Sequence, residues 1–308
     1  MADKNYAAGG IFDDILTIKG TPTINKDDLG APFPVHNVNG FFYPQAIKPT
    51  IHDYMKDLEV RDDDIWFFSY PRSGQHWTWN IVYRLTHDLK EAPKGMEEFC
   101  MPELVTHDVI SSVPSPRIMR THQLPSSIPQ TVWKKKCKAI NLVRHPKDVA
   151  YSFFKHQTTL LSYGYDGTWE GYLPMWLRGE VAWNDWFKHV QEYKKLAENV
   201  DMLFLTYEEM KKDTLGTIKK IAEYLGVRWS EEDYKQLIDE THIDVIQSRN
   251  QAWDVYARGG QGADIMFRKG QVGEWKQHFT VAQNELFNKV YKERMKGMPF
   301  VYDDLLDS

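Results

Sequence analysis

The chain of 308 residues carries 38 lysines and arginines against 43 acidic residues, a formal net charge of −5. That balance offers no general attraction to a polyanion and argues against a nucleic-acid binder, so any anion site has to be local. Hydrophobic residues make up 42% of the chain and aromatic ones 14%, enough for one large core and an aromatic-lined pocket, and the length suits a single α/β domain built on one sheet.

Cys100 and Cys137 are the only cysteines. They are too few for a disulfide framework and lack metal-ligand spacing, which fits a reducing, cytoplasmic compartment and a site without metal. Asp3, Lys4, Asp13 and Asp14 interrupt the N-terminus, so no secretory signal is legible, and no segment approaches the ~18–20 apolar residues of a membrane span. Residues 1–48, rich in Gly, Pro and Asp, read as an irregular arm packed on a domain covering residues 49–308.

Regular patterning begins with Ile65-Trp66-Phe67-Phe68, an apolar run suited to a strand buried on both faces. Tyr70-Pro71-Arg72-Ser73-Gly74-Gln75-His76-Trp77 follows, and then Trp77, Ile81 and Leu85 recur at helical spacing. A tight loop between a buried strand and a helix gathers backbone N–H groups at the positive end of the helix dipole. Arg72 adds a forked cation, Ser73 a hydroxyl, Gly74 room for close approach, and Gln75 and His76 side-chain donors. The Walker spacing is absent, which weakens an ATP-dependent kinase reading. Taken alone, the octapeptide also suits an ordinary strand-to-helix turn with a surface arginine.

Ile118-Met119 is a short apolar piece ending in Arg120-Thr121-His122-Gln123-Leu124-Pro125, a typical address for a catalytic side chain in a parallel sheet. A strand at Ala139-Ile140-Asn141-Leu142-Val143 leads to Arg144, with Pro146 near a helix start and Ser152 further along that helix. Arg144, Ser152 and the helix N–H groups can converge on one anion, although such residues are more often structural. A third strand at Met202-Leu203-Phe204-Leu205 precedes Tyr207 and a helix closed by Gly226. Strands alternating with helices predict an α/β domain with a mostly parallel central sheet flanked by helices. Residues 253–273 contain five glycines and read as a long functional loop, with Gly259, Gly260 and Gly262 at its centre.

These motifs together resemble the cytosolic sulfotransferases, over residues 64–285. The octapeptide is similar to that family's 5′-phosphosulfate loop, Tyr-Pro-Lys-Ser-Gly-Thr-Thr-Trp, with Arg72 in the lysine place and Gln75-His76 in place of the threonine pair. The resemblance implies binding of 3′-phosphoadenosine 5′-phosphosulfate (PAPS), release of PAP, and transfer of a sulfuryl group to a hydroxyl of a small phenol, catechol or alcohol, or to an amine. It implies that Arg72 and Arg120 stabilise charge during transfer and that His122 is the base, and it puts adenine against Trp77. Arg144, Ser152, Arg268, Lys269 and Gly270 would hold the 3′-phosphate, and Tyr207 and Thr241 would contact adenosine. His156 stands where the family carries an aromatic residue near the acceptor. Lys276, Thr280, Val281 and Glu285 match the family's dimer pattern, which implies a homodimer through residues 276–285. A relative that binds PAPS or PAP without turnover is the alternative from another class. Phe41, Phe42, Phe153, Phe154, Tyr163, Tyr165, Trp169, Tyr172 and Trp176 are the candidate walls of the acceptor pocket.

Overall fold

The computed structural model describes residues 22–47, 55–87, 100–249, 254, 257–267, 270–298 and 302. Two sheets organise them. The first is antiparallel, in the order β1-β2-β3, from β1 (Thr23–Lys26), β2 (Pro32–Val38) and β3 (Phe41–Pro44). These strands lie in the segment whose composition predicted an irregular arm. Asn39 and Gly40 both adopt positive φ, at 54° and 83°, the two-residue turn that an Asn-Gly pair makes between antiparallel strands. Phe33, Val35 and Tyr43 then point into the main core, so this small sheet is sealed onto the rest of the domain.

The second sheet is wholly parallel, in the order β5-β4-β6-β7: β4 (Ile65–Ser69), β5 (Ile118–Thr121), β6 (Lys138–Val143) and β7 (Met202–Thr206). All five residues of β4 are buried, as a continuous apolar run between two helical layers requires. The side chains alternate cleanly, with Ile65 and Phe67 on one face and Trp66 and Phe68 on the other, each face joining a separate apolar cluster.

The sheet order creates a switch point, since the chain leaves β4 for one neighbour, β5, and returns across it to the other, β6. In open α/β sheets ligands bind at the carboxyl ends of strands around such a point. Register brings those ends level: Phe68 pairs with Thr121, Ser69 with Leu142, and Val143 with Thr206.

Helices follow where the apolar spacing placed them. Gln75–Thr86 follows β4 and Pro146–Thr159 follows β6, with Pro146 in its first turn, where a missing N–H costs nothing. Thr214–Leu225 ends at Gly226, which is left-handed at φ 74°. The glycine-rich stretch departs from a plain loop. Gly262–Met266 forms a short helix, and Ala263, Ile265, Met266 and Phe267 are buried. Among the described residues no helix is long and apolar enough to cross a membrane.

Candidate active site

The loop after β4 is shaped by two left-handed residues, Arg72 at φ 69° and Gly74 at φ 101°. Gly74 caps the helix Gln75–Thr86. A Cβ there would lie 2.6 Å from Cδ2 of Tyr207, so the backbone approaches that ring as only glycine can. The hydroxyl of Ser73 and the Nε2 donor of Gln75 are buried with no protein partner among the described residues. Buried donors left open beside a helix N-terminus suit an anionic ligand.

A second cationic element lies at the end of β6. Arg144 donates through Nη1 to the carbonyl of Arg72 at 3.1 Å and through Nη2 to that of Gln271 at 2.9 Å, and its guanidinium lies 4.5 Å from the centre of the Tyr207 ring. It joins the loop after β4 to the segment starting at Gly270. Asp148, in the first turn of the helix Pro146–Thr159, secures that segment by accepting from the N–H groups of Gly273 at 2.7 Å and Trp275 at 2.9 Å. Gly270 lines the same cavity, whereas Arg268 and Lys269 lie outside the described residues.

Between the two cationic elements, Trp77 and Tyr207 meet edge to face with ring centres 5.9 Å apart. Trp77 shares the helical spacing of Ile81 and Leu85. It is only half-buried and faces the cavity, while Trp79, Ile81, Val82 and Leu85 fill the core side. Thr241 lines the cavity too, although its hydroxyl donates to the carbonyl of Leu237 at 2.7 Å. Lys211, which no motif marked, brings its ammonium 5.3 Å from the Trp77 ring and adds a cation to the cleft there.

His122 and Arg120 come to the same edge from β5. Arg120 is buried; its backbone N–H donates to the carbonyl of Cys100 at 2.9 Å, and its Nη1 donates to Gln75 Oε1 at 3.3 Å. Gln75 therefore ties β5 to the loop after β4, which a threonine at that position is too short to do. The Nδ1 of His122 lies 2.8 Å from the carbonyl oxygen of Ser69. Burial pushes the imidazole down to about 3, opposed by the Ser69 hydrogen bond and assisted by the charge of Arg120. The ring is neutral, with a lone pair at Nε2.

Below it, Glu103 accepts from the backbone N–H of His122 at 3.1 Å and from the hydroxyl of Thr121. Burial raises this carboxyl to about 7, against the pull of those hydrogen bonds. Glu103 was silent in the sequence because nothing in a surface-like Pro-Glu-Leu piece reveals that it folds beneath a strand end.

The cleft continues past His122 into an apolar chamber, and the whole cavity measures about 270 Å³. Pro44, Ala46, Ile47, Leu160, Tyr163 and Trp183 wall the chamber. Of the nine aromatic residues expected to do so, only Tyr163 lines the cavity. Phe153, Tyr165, Trp169, Tyr172 and Trp176 turn into the core, and Phe41, Phe42 and Phe154 pack against it. Trp183 takes their place because its backbone is left-handed at φ 66° and its N–H donates to the carbonyl of Phe42 at 2.7 Å, which docks it against the small sheet.

The arrangement offers cations from two elements around one cleft, an aromatic pair beside them, and a neutral imidazole facing an apolar chamber. A model of the sulfotransferase domain matches residues 62–299. Human sulfotransferase 1C2 is 28% identical over 291 residues, covering 88% of this chain and 95% of its own. Mouse sulfotransferase 1B1 is 32% identical over 263 residues, covering 79% and 86%. Among solved structures, mouse sulfotransferase SULT7A1 complexed with PAP superposes with a TM-score of 0.74 at 27% identity, covering 86% of this chain and 95% of that one. The chain belongs to the sulfotransferase family and is a PAPS-dependent sulfotransferase.

Proposed function

We propose that the acceptor is a hydroxyl of a small phenol, catechol or alcohol, and that His122 takes its proton. The hydrogen bond from His122 Nδ1 to the Ser69 carbonyl carries this reading, because it commits the only ring proton and leaves Nε2 as a base facing the chamber. PAPS, when bound, supplies the sulfuryl group and a phosphate leaving group. Transfer is an in-line displacement: the acceptor oxygen bonds to sulfur, the bond from sulfur to the phosphate oxygen breaks, and the acceptor proton goes to Nε2. Arg72 and Arg120 hold positive charge where the leaving oxygen becomes negative.

The same reading assigns the remaining residues. Ser73, Gly74, Gln75 and His76 line the 5′ end, Trp77, Tyr207 and Thr241 flank adenosine, and Arg144, Ser152 and Gly270 receive the 3′-phosphate together with Arg268 and Lys269. Arg72 after β4 and Arg144 at the end of β6 bring cations to one cleft from two elements, which supports a ligand phosphorylated at both the 3′ and 5′ ends over ATP. A screen of phenols, catechols, alcohols and amines with radiolabelled PAPS tests the acceptor class. Labelled phenols or alcohols are the expected products, and label confined to amines contradicts the reading.

Lys276, Thr280, Val281 and Glu285 are all solvent-exposed, Val281 at 76%, which suits a homodimer contact through residues 276–285. Light scattering at micromolar concentration should give twice the chain mass, and a monomer mass contradicts it. The two buried thiols, Cys100 and Cys137, suit work in the cytoplasm.

A further inference from the structure

The phosphate-loop cation and the acceptor chamber meet at one side chain, His156. It lies on the helix Pro146–Thr159 one turn beyond Ser152, so both residues face Arg72. Arg72 donates through Nε to Ser152 Oγ at 3.2 Å, and its Nη1 lies 3.4 Å from His156 Nδ1. Two further contacts, from Nη2 to the carbonyl of Ile265 at 2.6 Å and from Nη1 to that of Met266 at 3.3 Å, hold the guanidinium in this position.

A guanidinium can only donate, so Nδ1 of His156 must accept. An imidazole that accepts at Nδ1 is neutral and carries its one proton at Nε2. Its surroundings enforce the neutral form: the side chain is buried, and desolvation, then the charge of Arg72, hold it well below the usual histidine range. Tyr163 and Phe153, with ring centres 5.2 and 6.0 Å away, fix the plane of the ring. His156 lines the cavity, and its Nε2 has no hydrogen-bond partner among the described residues. His122 carries the opposite tautomer, with its proton on Nδ1. One chamber therefore holds an imidazole lone pair and an imidazole N–H.

We propose that His156 is a specificity-determining residue that selects hydroxyl acceptors bearing a second oxygen, an ether, carbonyl or further hydroxyl, to receive its Nε2 proton. The inference rests on the hydroxyl-acceptor reading above. A purely hydrocarbon acceptor fills the chamber but strips water from this N–H without replacing it, and sites built around a buried donor reject such analogues strongly.

The test compares 2-, 3- and 4-methoxyphenol with the matching ethylphenols, which have similar shape but lack the second oxygen. Sulfation from radiolabelled PAPS is measured as kcat/KM in wild type, His156→Phe and His156→Gln, with PAP affinity recorded to show that each variant is folded. In wild type at least one methoxy isomer is preferred over its ethyl partner by about 10-fold or more. The preference collapses towards one in His156→Phe and persists in His156→Gln, whose amide keeps a donor. A wild-type ratio near one for all three isomers, an unchanged ratio in His156→Phe, or a collapsed ratio in His156→Gln overturns the proposal. Absence of labelled product from every phenol and from the matching methoxy- and ethylcyclohexanols, with PAP bound, instead overturns the hydroxyl-acceptor reading itself.

Discussion

The imidazole of His122, one residue past β5, donates from Nδ1 to the main-chain carbonyl of Ser69 at the end of β4, 2.8 Å away. The strand that launches the loop of Arg72 and Gly74 thus also orients this imidazole. Because the acceptor is a backbone carbonyl of an interior strand, the tautomer is set by the fold rather than by a neighbouring side chain that could itself titrate.

This contact fixes an expectation for pH. Burial disfavours the imidazolium, so His122 titrates near 3 rather than at the ordinary value of 6.5. The basic form is populated throughout the neutral range, and protonation removes it only in acid. The profile of kcat/KM should accordingly keep its acid limb well below 6.5. A limb between roughly 6 and 7 that disappears in His122→Asn contradicts a desolvated base.

Gly74 offers a test of the phosphate loop that leaves the base untouched. Alanine would have to adopt φ 101° and bring its Cβ to 2.6 Å from the Tyr207 ring. Backbone strain of this kind costs on the order of 1–3 kcal/mol, and moving either the loop or the ring disturbs the cleft between them. Gly74→Ala should weaken PAP binding by about 10-fold or more by calorimetry; unchanged affinity refutes the close-packed loop.

Glu103 links stability to pH. Its carboxyl is raised to about 7 by burial, so the folded state holds the proton more tightly than the unfolded chain does. The associated stability is fully present below the unfolded value, near 4.5, and is lost as pH rises through about 7. Thermal unfolding between those limits should show Tm falling with pH in wild type, and a shallower fall in Glu103→Gln. Parallel curves for the two proteins contradict the assignment.

Much of this site is legible before folding because its parts are local. A buried strand, a tight turn and a helix are contiguous between Ile65 and Leu85, and the same holds from Ala139 to Ser152. The β1 to β3 sheet was harder, because its strands are short and two of them carry prolines; the Asn39-Gly40 turn was its one local signal. The chamber walls were illegible for a different reason. Whether Tyr163 or Tyr172 faces the cavity depends on how two distant elements pack, and residue type alone cannot separate a core aromatic from a lining one. Glu103 and Lys211 escaped for the same cause, since each joins the site only through a neighbour far away in sequence.

The central claim is that a neutral His122 removes the acceptor proton as the sulfuryl group is transferred. Its most direct test is the single-turnover rate of sulfuryl transfer from radiolabelled PAPS to a phenol in wild type and His122→Ala, with PAP affinity measured on the same samples. The rate should drop on the order of 10²–10⁴-fold while PAP affinity stays within about 2-fold, since the ring faces the chamber rather than the phosphate pockets. An undiminished rate in His122→Ala with PAP binding intact contradicts the account.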